Sequence, residues 1–164
     1  MIVLGIDPGT HVSGYGLIDT DANKVLDYGC IRPPTNLSPS KRYLIIYQAV
    51  LHLIETFSPA VCSIETQFIY KNPKSALTLG MAKGAAMIAC AQKDVEVFEY
   101  NPSQVKAAVT GNGKATKEQV AYMIRVLCHL KEAPKPLDAA DALALCFCHI
   151  NRSKLCMNMS VARL

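Results

Sequence analysis

The order of periodic segments predicts an α/β domain: one mixed, five-stranded sheet flanked by helices. Two observations carry this. Three short apolar or alternating stretches follow one another between residues 2 and 31 with only turns between them, as in an antiparallel meander. Two more short apolar runs, residues 60–65 and 95–99, come later, separated from what precedes them by stretches of helical periodicity. Strands, helix, strand, helix, strand and then only helices make one mixed sheet covered by helices.

Each element has its own warrant. Ile2, Val3, Leu4 and Ile6 form a buried strand that ends on Asp7, and Pro8-Gly9 then turns the chain. A carboxylate at the end of a central strand lies where open α/β sheets keep their ligand crevice. From these residues alone, a simple turn aspartate is an equally good reading. Residues 13–20 alternate around Gly14 and Gly16, Asp21-Ala-Asn23 reads as a hairpin turn, and residues 24–31 form a third strand. Ser38 as N-cap and Pro39 at the first helical position start a helix running to about Phe57. Its core face is Tyr43, Ile46, Val50, Ile54 and Phe57, and Ser58-Pro59 stops it.

Residues 60–65 make a strand that again ends on a carboxylate, Glu65. A loop carrying Phe68 and Tyr70 follows, and Asn72-Pro73 opens a helix to about Gln92. Gly80 and Gly84, four apart, imply close packing of that helix on a neighbour or on a second subunit. After the strand at 95–99, Asn101-Pro-Ser-Gln104 has the cap, proline and third-position glutamine of a short helix ending by Gly111. The loop Gly111-Asn-Gly-Lys114 lacks the spacing of a Walker phosphate loop. Residues 116–130 are amphipathic through Val120, Met123 and Leu127, with Thr116 and Gln119 in capping-box spacing. A last helix spans residues 136 to about 150. The organisation is one domain, residues 1–150, and a basic, frayed tail, residues 151–164.

With 164 residues, 51% hydrophobic and 18% charged, the chain is long enough for a full core and reads as soluble and globular. No stretch suits a bilayer span, and Asp7-Pro8 interrupts the only N-terminal apolar run, so neither a membrane anchor nor a signal peptide is expected and the location is cytoplasmic. Seven cysteines at irregular spacing would stay reduced there. Cys146-Phe-Cys148-His149 falls in a helical pattern, where neighbours two apart do not share a face, so buried small hydrophobes are favoured over a metal site. The net charge of +4 is unevenly placed: residues 66–93, 101–117 and 143–164 carry basic side chains and no acid. Such segments favour a polyanionic partner over merely solvated lysine faces.

Leu137-Asp138-Ala-Ala-Asp141-Ala-Leu-Ala adds two carboxylates. Asp138 and Asp141, three apart, share a helix face. Asp138 near the helix start answers the dipole, but Asp141 lies a turn further in, where that explanation weakens. The flanking alanines leave room for another chain or a substrate. If the strands ending on Asp7 and Glu65 are neighbours, all four carboxylates converge. Unpaired, they would repel and their pKa values would rise, so the cluster calls for cations. All-oxygen ligands suit Mg²⁺ or Mn²⁺, and two such ions would clamp an in-line phosphoryl displacement.

The set Gly5-Ile-Asp7-Pro-Gly9, Ile64-Glu65, Val97-Phe-Glu-Tyr100, Gln104-Val-Lys106 and Asp138-Ala-Ala-Asp141-Ala-Leu-Ala resembles the RuvC-type crossover junction endodeoxyribonucleases, in order and spacing, from residue 1 to about residue 150. The resemblance implies a ribonuclease H-like fold, a homodimer, and Mg²⁺-dependent resolution of four-way (Holliday) junction DNA by symmetric paired nicks, with a RuvA–RuvB branch-migration complex as partner. It implies that Asp7, Glu65, Asp138 and Asp141 are the catalytic, metal-binding carboxylates. It further implies that Phe68 stacks at the junction centre, that Lys106 and Lys117 bind DNA, and that Lys117 also stabilises charge on the scissile phosphate.

Two other readings were weighed. Gly5-Ile-Asp7-Pro-Gly-Thr10 also resembles the first phosphate loop of actin-like ATPases and sugar kinases, but those need two such domains, no second phosphate loop is visible, and Asp138 and Asp141 would be unexplained. A junction-binding module without chemistry would gain nothing from four carboxylates facing phosphates.

Overall fold

The computed structural model of the chain describes residues 1–66 and 73–161, with side chains described as far as Ser153. The strands are β1 (Ile2–Asp7), β2 (Ser13–Asp19), β3 (Lys24–Ile31), β4 (Val61–Glu65) and β5 (Glu96–Tyr100). The helices are α1 (Pro39–Phe57), α2 (Pro73–Gln92), α3 (Pro102–Thr110), α4 (Lys117–Leu127) and α5 (Leu137–Val161). The sheet order is β3-β2-β1-β4-β5. β1, β2 and β3 are antiparallel, and β4 and β5 are parallel to β1, so the expected meander and mixed five-stranded sheet are both present.

The apolar run of β1 is continuous because the strand is central and covered on both faces. Leu4 and Ile6 join Ile46, Val50, Ile54 and the alanines of α2 in one core. Val3 joins Val105, Val120, Ile124, Leu143 and Leu145 in the other. Both predicted capping boxes form, Asn101 with Gln104 and Thr116 with Gln119, and Gly111 ends α3 in the left-handed conformation that a residue without Cβ adopts most readily.

Four expectations need correction. The Ser38 side chain makes no cap hydrogen bond; its hydroxyl lies 3.2 Å from that of Ser40. Helix α4 stops at Leu127, because His129 turns to positive φ and the chain leaves the axis. Helix α5 continues to Val161 instead of ending near Ile150, so the basic tail extends the last helix. Nothing among the described residues lies within 4 Å of where a Cβ would stand on Gly80 or Gly84, so their close-packing partner is not another described element of this chain.

The buried cysteines are as expected. Cys62, Cys90, Cys146 and Cys148 are at most 1% exposed, and no described cysteine is in a disulfide. Cys146 points its thiol at the carbonyls of Val3 and Gly16, while the His149 ring lies 2.8 Å from the Tyr100 hydroxyl, so Cys146 and His149 face different partners.

Candidate active site

β1 and β4 are parallel neighbours with Ile6 beside Ile64, so the next residue on each strand is a carboxylate at the same sheet edge. Asp7 and Glu65 meet there, and the charge of Glu65 is felt at Asp7. This is the carboxyl end of the parallel strands, where such sheets hold ligands.

Helix α5 brings the other two carboxylates, and glycines decide how closely it comes. A Cβ on Gly5 would stand 2.0 Å from the Ala142 carbonyl oxygen, and one on Gly14 equally close to that of Asp138. No side chain fits at those separations, so backbone lies against backbone. On the helix side the matching residues are Ala139, Ala140, Ala142 and Ala144, all at most 1% exposed. The alanines flanking the two aspartates therefore admit the sheet, not a substrate, which corrects the sequence reading.

Asp7, Glu65, Asp141, Lys106 and Lys117 line a cavity of about 180 Å³ floored by Val105, Val120 and Leu145. Asp141 Oδ2 accepts a 2.7 Å hydrogen bond from Lys117 Nζ. Asp138 does not line this cavity. Its charge nevertheless reaches Asp7, Lys117 and the Cys30 thiol, which places it on the β2–β3 side of the cluster. Larger hollows lie on α2 beside Leu77 and Met81 and between α3 and α5 beside Gln104 and Arg152, but neither gathers carboxylates.

The electrostatics follow from this crowding. Burial, then the charges of Glu65 and Asp141 and more weakly that of Asp138, push the Asp7 carboxyl up to about 8, against the pull of Lys117. Glu65 is raised as well, first by burial, with the bond to Asp7 and the charges of Lys117 and Lys106 opposing. Burial pulls the Lys117 ammonium down, but its bond to Asp141 and the surrounding carboxylates outweigh that and leave it raised. The cluster sets four carboxyl groups against two lysines. Its donors are all oxygen, which fits a hard divalent cation. Among the described residues no three His, Cys, Asp or Glu side chains already stand as a closed ligand set, and Lys117 holds one oxygen of Asp141.

Six of the seven site residues predicted from sequence are thus located: Asp7, Glu65, Asp141, Lys106 and Lys117 together, and Asp138 at the margin. Phe68 lies outside the described residues. Sequence reasoning missed the groups that hold the turn after Asp7. The fully buried Ser13 hydroxyl bridges the N–H and carbonyl of Gly9, and Arg42 of α1 donates to the Thr10 carbonyl. Nothing in the pattern of either residue signals this. The strand glycines Gly5, Gly14 and Gly16 were a legible signal, since a glycine inside a strand marks close backbone approach.

The family model described as "Crossover junction endodeoxyribonuclease RuvC" matches residues 3–149. A Protochlamydia amoebophila protein of that name is 47% identical over 151 residues, covering 91% of this chain and 90% of its own length. One from Ruminiclostridium cellulolyticum is 43% identical, covering 94% and 95%. Among solved structures, Thermus thermophilus RuvC in complex with Holliday junction substrate superposes with a TM-score of 0.88 at 36% identity, covering 94% of this chain and 96% of that one. The arrangement of the sheet is accordingly ribonuclease H-like, as expected. Nucleases of the matched family depend on divalent metal.

Proposed function

The chain belongs to the RuvC family of crossover junction endodeoxyribonucleases, and we infer that its carboxylate cleft resolves four-way DNA junctions by symmetric paired nicks, in homologous recombination and DNA repair. The observation that carries this reading is the convergence of Asp7, Glu65 and Asp141 at one sheet edge with Asp138 beside them and two lysines over them.

In this reading Asp7, Glu65, Asp138 and Asp141 hold divalent cations, two Mg²⁺ per site with Mn²⁺ able to substitute. When bound, such ions supply the Lewis acidity that activates water and stabilises the leaving 3′ oxygen, giving 5′-phosphate and 3′-hydroxyl ends. The chain's own residues do the rest. Asp7, buried and pressed by the charges of Glu65, Asp141 and Asp138, would gain most from a cation and anchor the set. Lys117, which bonds Asp141 Oδ2 in the cleft, would place its ammonium beside the scissile phosphate and stabilise the charge developing there. Lys106, on the α3 wall, holds the backbone alongside. Phe68 stacks on a splayed base at the junction centre.

Two cuts related by symmetry need two sites, so the working form is a homodimer. The outer face of α2 supports it: Leu77, Met81 and Ile88 are exposed, and Gly80 lies open between the first two. Residues 1–150 act as one nuclease domain, with residues 151–164 as a basic extension. A RuvA–RuvB branch-migration complex is the further partner, and the cytoplasm the location. No helix among the described residues is long and apolar enough to cross a membrane.

The test is cleavage of a synthetic four-way junction with Mg²⁺, beside linear duplex and an RNA–DNA hybrid, by the wild type and Asp7→Asn. Paired, ligatable nicks in the junction alone, reduced more than about 100-fold in Asp7→Asn with junction binding retained, is the expected result. Junction binding without cleavage under any divalent ion would refute it.

A further inference from the structure

The two lysines of the cleft come from the helices α3 and α4. Lys106 stands on α3, and its charge is felt at Glu65 of β4. Across the sheet end the residues run in a row: Glu65 on β4, Asp7 on β1, Gly14 on β2 and Cys30 on β3. Past that row, on the side away from Lys106, a second set of donors occurs.

Arg32 follows β3 directly and is exposed between buried Ile31 and buried Pro33. The residue before a proline is held extended, so Arg32 is fixed facing outward from a backbone anchored on both sides. Among the described residues it makes no ion pair. The Cys30 thiol, raised first by burial, feels Asp138, Arg32 and Asp7 together, so Arg32 stands within charge reach of the carboxylate edge.

His11, exposed, lies in the loop that leaves Asp7. Arg42 Nη2 is 3.2 Å from its Nδ1 and also bonds the Thr10 carbonyl. A guanidinium only donates, so Nδ1 accepts and Nε2 carries the ring proton, a donor directed away from the clamp. Ser13 fixes the start of the same loop at Gly9. The loop is thus tied at Gly9 and Thr10, and it presents a cation-backed N–H donor on the exposed side of the turn beside the carboxylate cluster.

We propose that Arg32 and His11 form a second phosphate-binding flank, which holds the junction strand on the β3 side of the carboxylates while Lys106 and Lys117 hold it on the other. This rests on the reading of the cleft as a junction nuclease. The span agrees with it. Three strand spacings separate Glu65 from Cys30, about 14 Å, which is room for the phosphates of a few consecutive nucleotides. The scissile phosphate then lies over the carboxylates with a basic contact on either side, which keeps the strand in register although the centre of the site is negative.

The experiment is junction binding as a function of salt, without divalent metal so that nothing is cut, for wild type, Arg32→Gln, His11→Ala and Lys24→Gln. Lys24 begins the strand that Arg32 follows, at the opposite end of the sheet, and serves as the control. Arg32→Gln is expected to flatten the slope of log affinity against log salt by about 0.7–0.9, one phosphate contact. His11→Ala removes a hydrogen-bond donor and weakens binding several-fold, and Lys24→Gln changes neither affinity nor slope. Unaltered melting temperatures show that the variants are folded. A wild type that binds and cuts junctions normally, with Arg32→Gln matching Lys24→Gln, would overturn this proposal alone. A wild type that does not bind junctions would overturn the nuclease reading and this proposal with it.

Discussion

The two faces of the sheet are covered by helices in different ways. On one face α1 and α2 pack through side chains: Ile46, Val50, Leu53 and Ile54 of α1 fill the space over Leu4, Ile6 and Ile64. On the other face α5 packs through backbone, glycine against carbonyl at Gly5 and Gly14, with alanines along the contact. Side-chain packing tolerates small shifts because rotamers and neighbours adjust. Backbone contact does not, and it fixes the helix to within a fraction of an ångström. The helix held this way carries Asp138 and Asp141, and the adjoining α4 carries Lys117. The helices packed by side chains carry no carboxylate of the site, and the outer side of α2 leaves Leu77, Met81 and Ile88 exposed.

The largest effect that separates the faces comes from Gly14→Val against Val50→Ala. Both are expected to cost about 2–3 kcal/mol in chemical denaturation. Only Gly14→Val, which pushes α5 away at Asp138, also lowers junction cleavage by about 100-fold or more in protein that is still folded. Equal cleavage by the two would mean that α5 is not held by backbone contact.

Next in size is the pH response. Folding raises the Asp7 pKa from the ordinary carboxylate range to about 8, so between roughly pH 4 and 8 the native state binds more protons than the unfolded one. Stability of the metal-free protein therefore falls as pH rises through that window. Asp7→Asn removes the penalty, a few kcal/mol in size, and the metal-free variant should melt several degrees above wild type at pH 8 and close to it at pH 4. Parallel melting curves at both pH values would show that burial and like charge do not raise the Asp7 carboxyl.

On the other face, Met81→Lys should leave folding stability within about 0.5 kcal/mol while shifting the sedimentation coefficient from dimer to monomer. If the variant stays dimeric, the open face of α2 is not the contact. The smallest contrast is in the caps. Thr116→Ala loses a real capping box beside Lys117 and should cost about 1 kcal/mol, whereas Ser38→Ala, with no cap bond to lose, should cost a few tenths.

Much of this organisation was legible in the sequence because it is written in local chemistry. Asn101-Pro102 with Gln104, and Thr116 with Gln119, place two helix starts correctly because capping is a property of four adjacent residues. Asp7 and Glu65 stood out because each ends an apolar run. What resisted reading was long-range. The alanines beside Asp138 suggest open space in sequence but are buried in the structure, because the surface that covers them comes from glycines more than a hundred residues away. The Ser13 and Arg42 contacts to the turn after Asp7 likewise join residues whose local patterns are unremarked. The end of α5 was misjudged because a helix can continue without an apolar stripe that demands it.

The most direct test of the account is Mn²⁺ binding at pH 8, followed by loss of the free-ion paramagnetic signal, for wild type, Asp7→Asn and Lys117→Ala. The account predicts saturable binding by wild type, at least about tenfold weaker binding by Asp7→Asn, and undiminished or tighter binding by Lys117→Ala, whose ammonium no longer competes for Asp141. Identical binding by wild type and Asp7→Asn would contradict it, because the crowded carboxylates at the sheet edge would then not be what holds the metal.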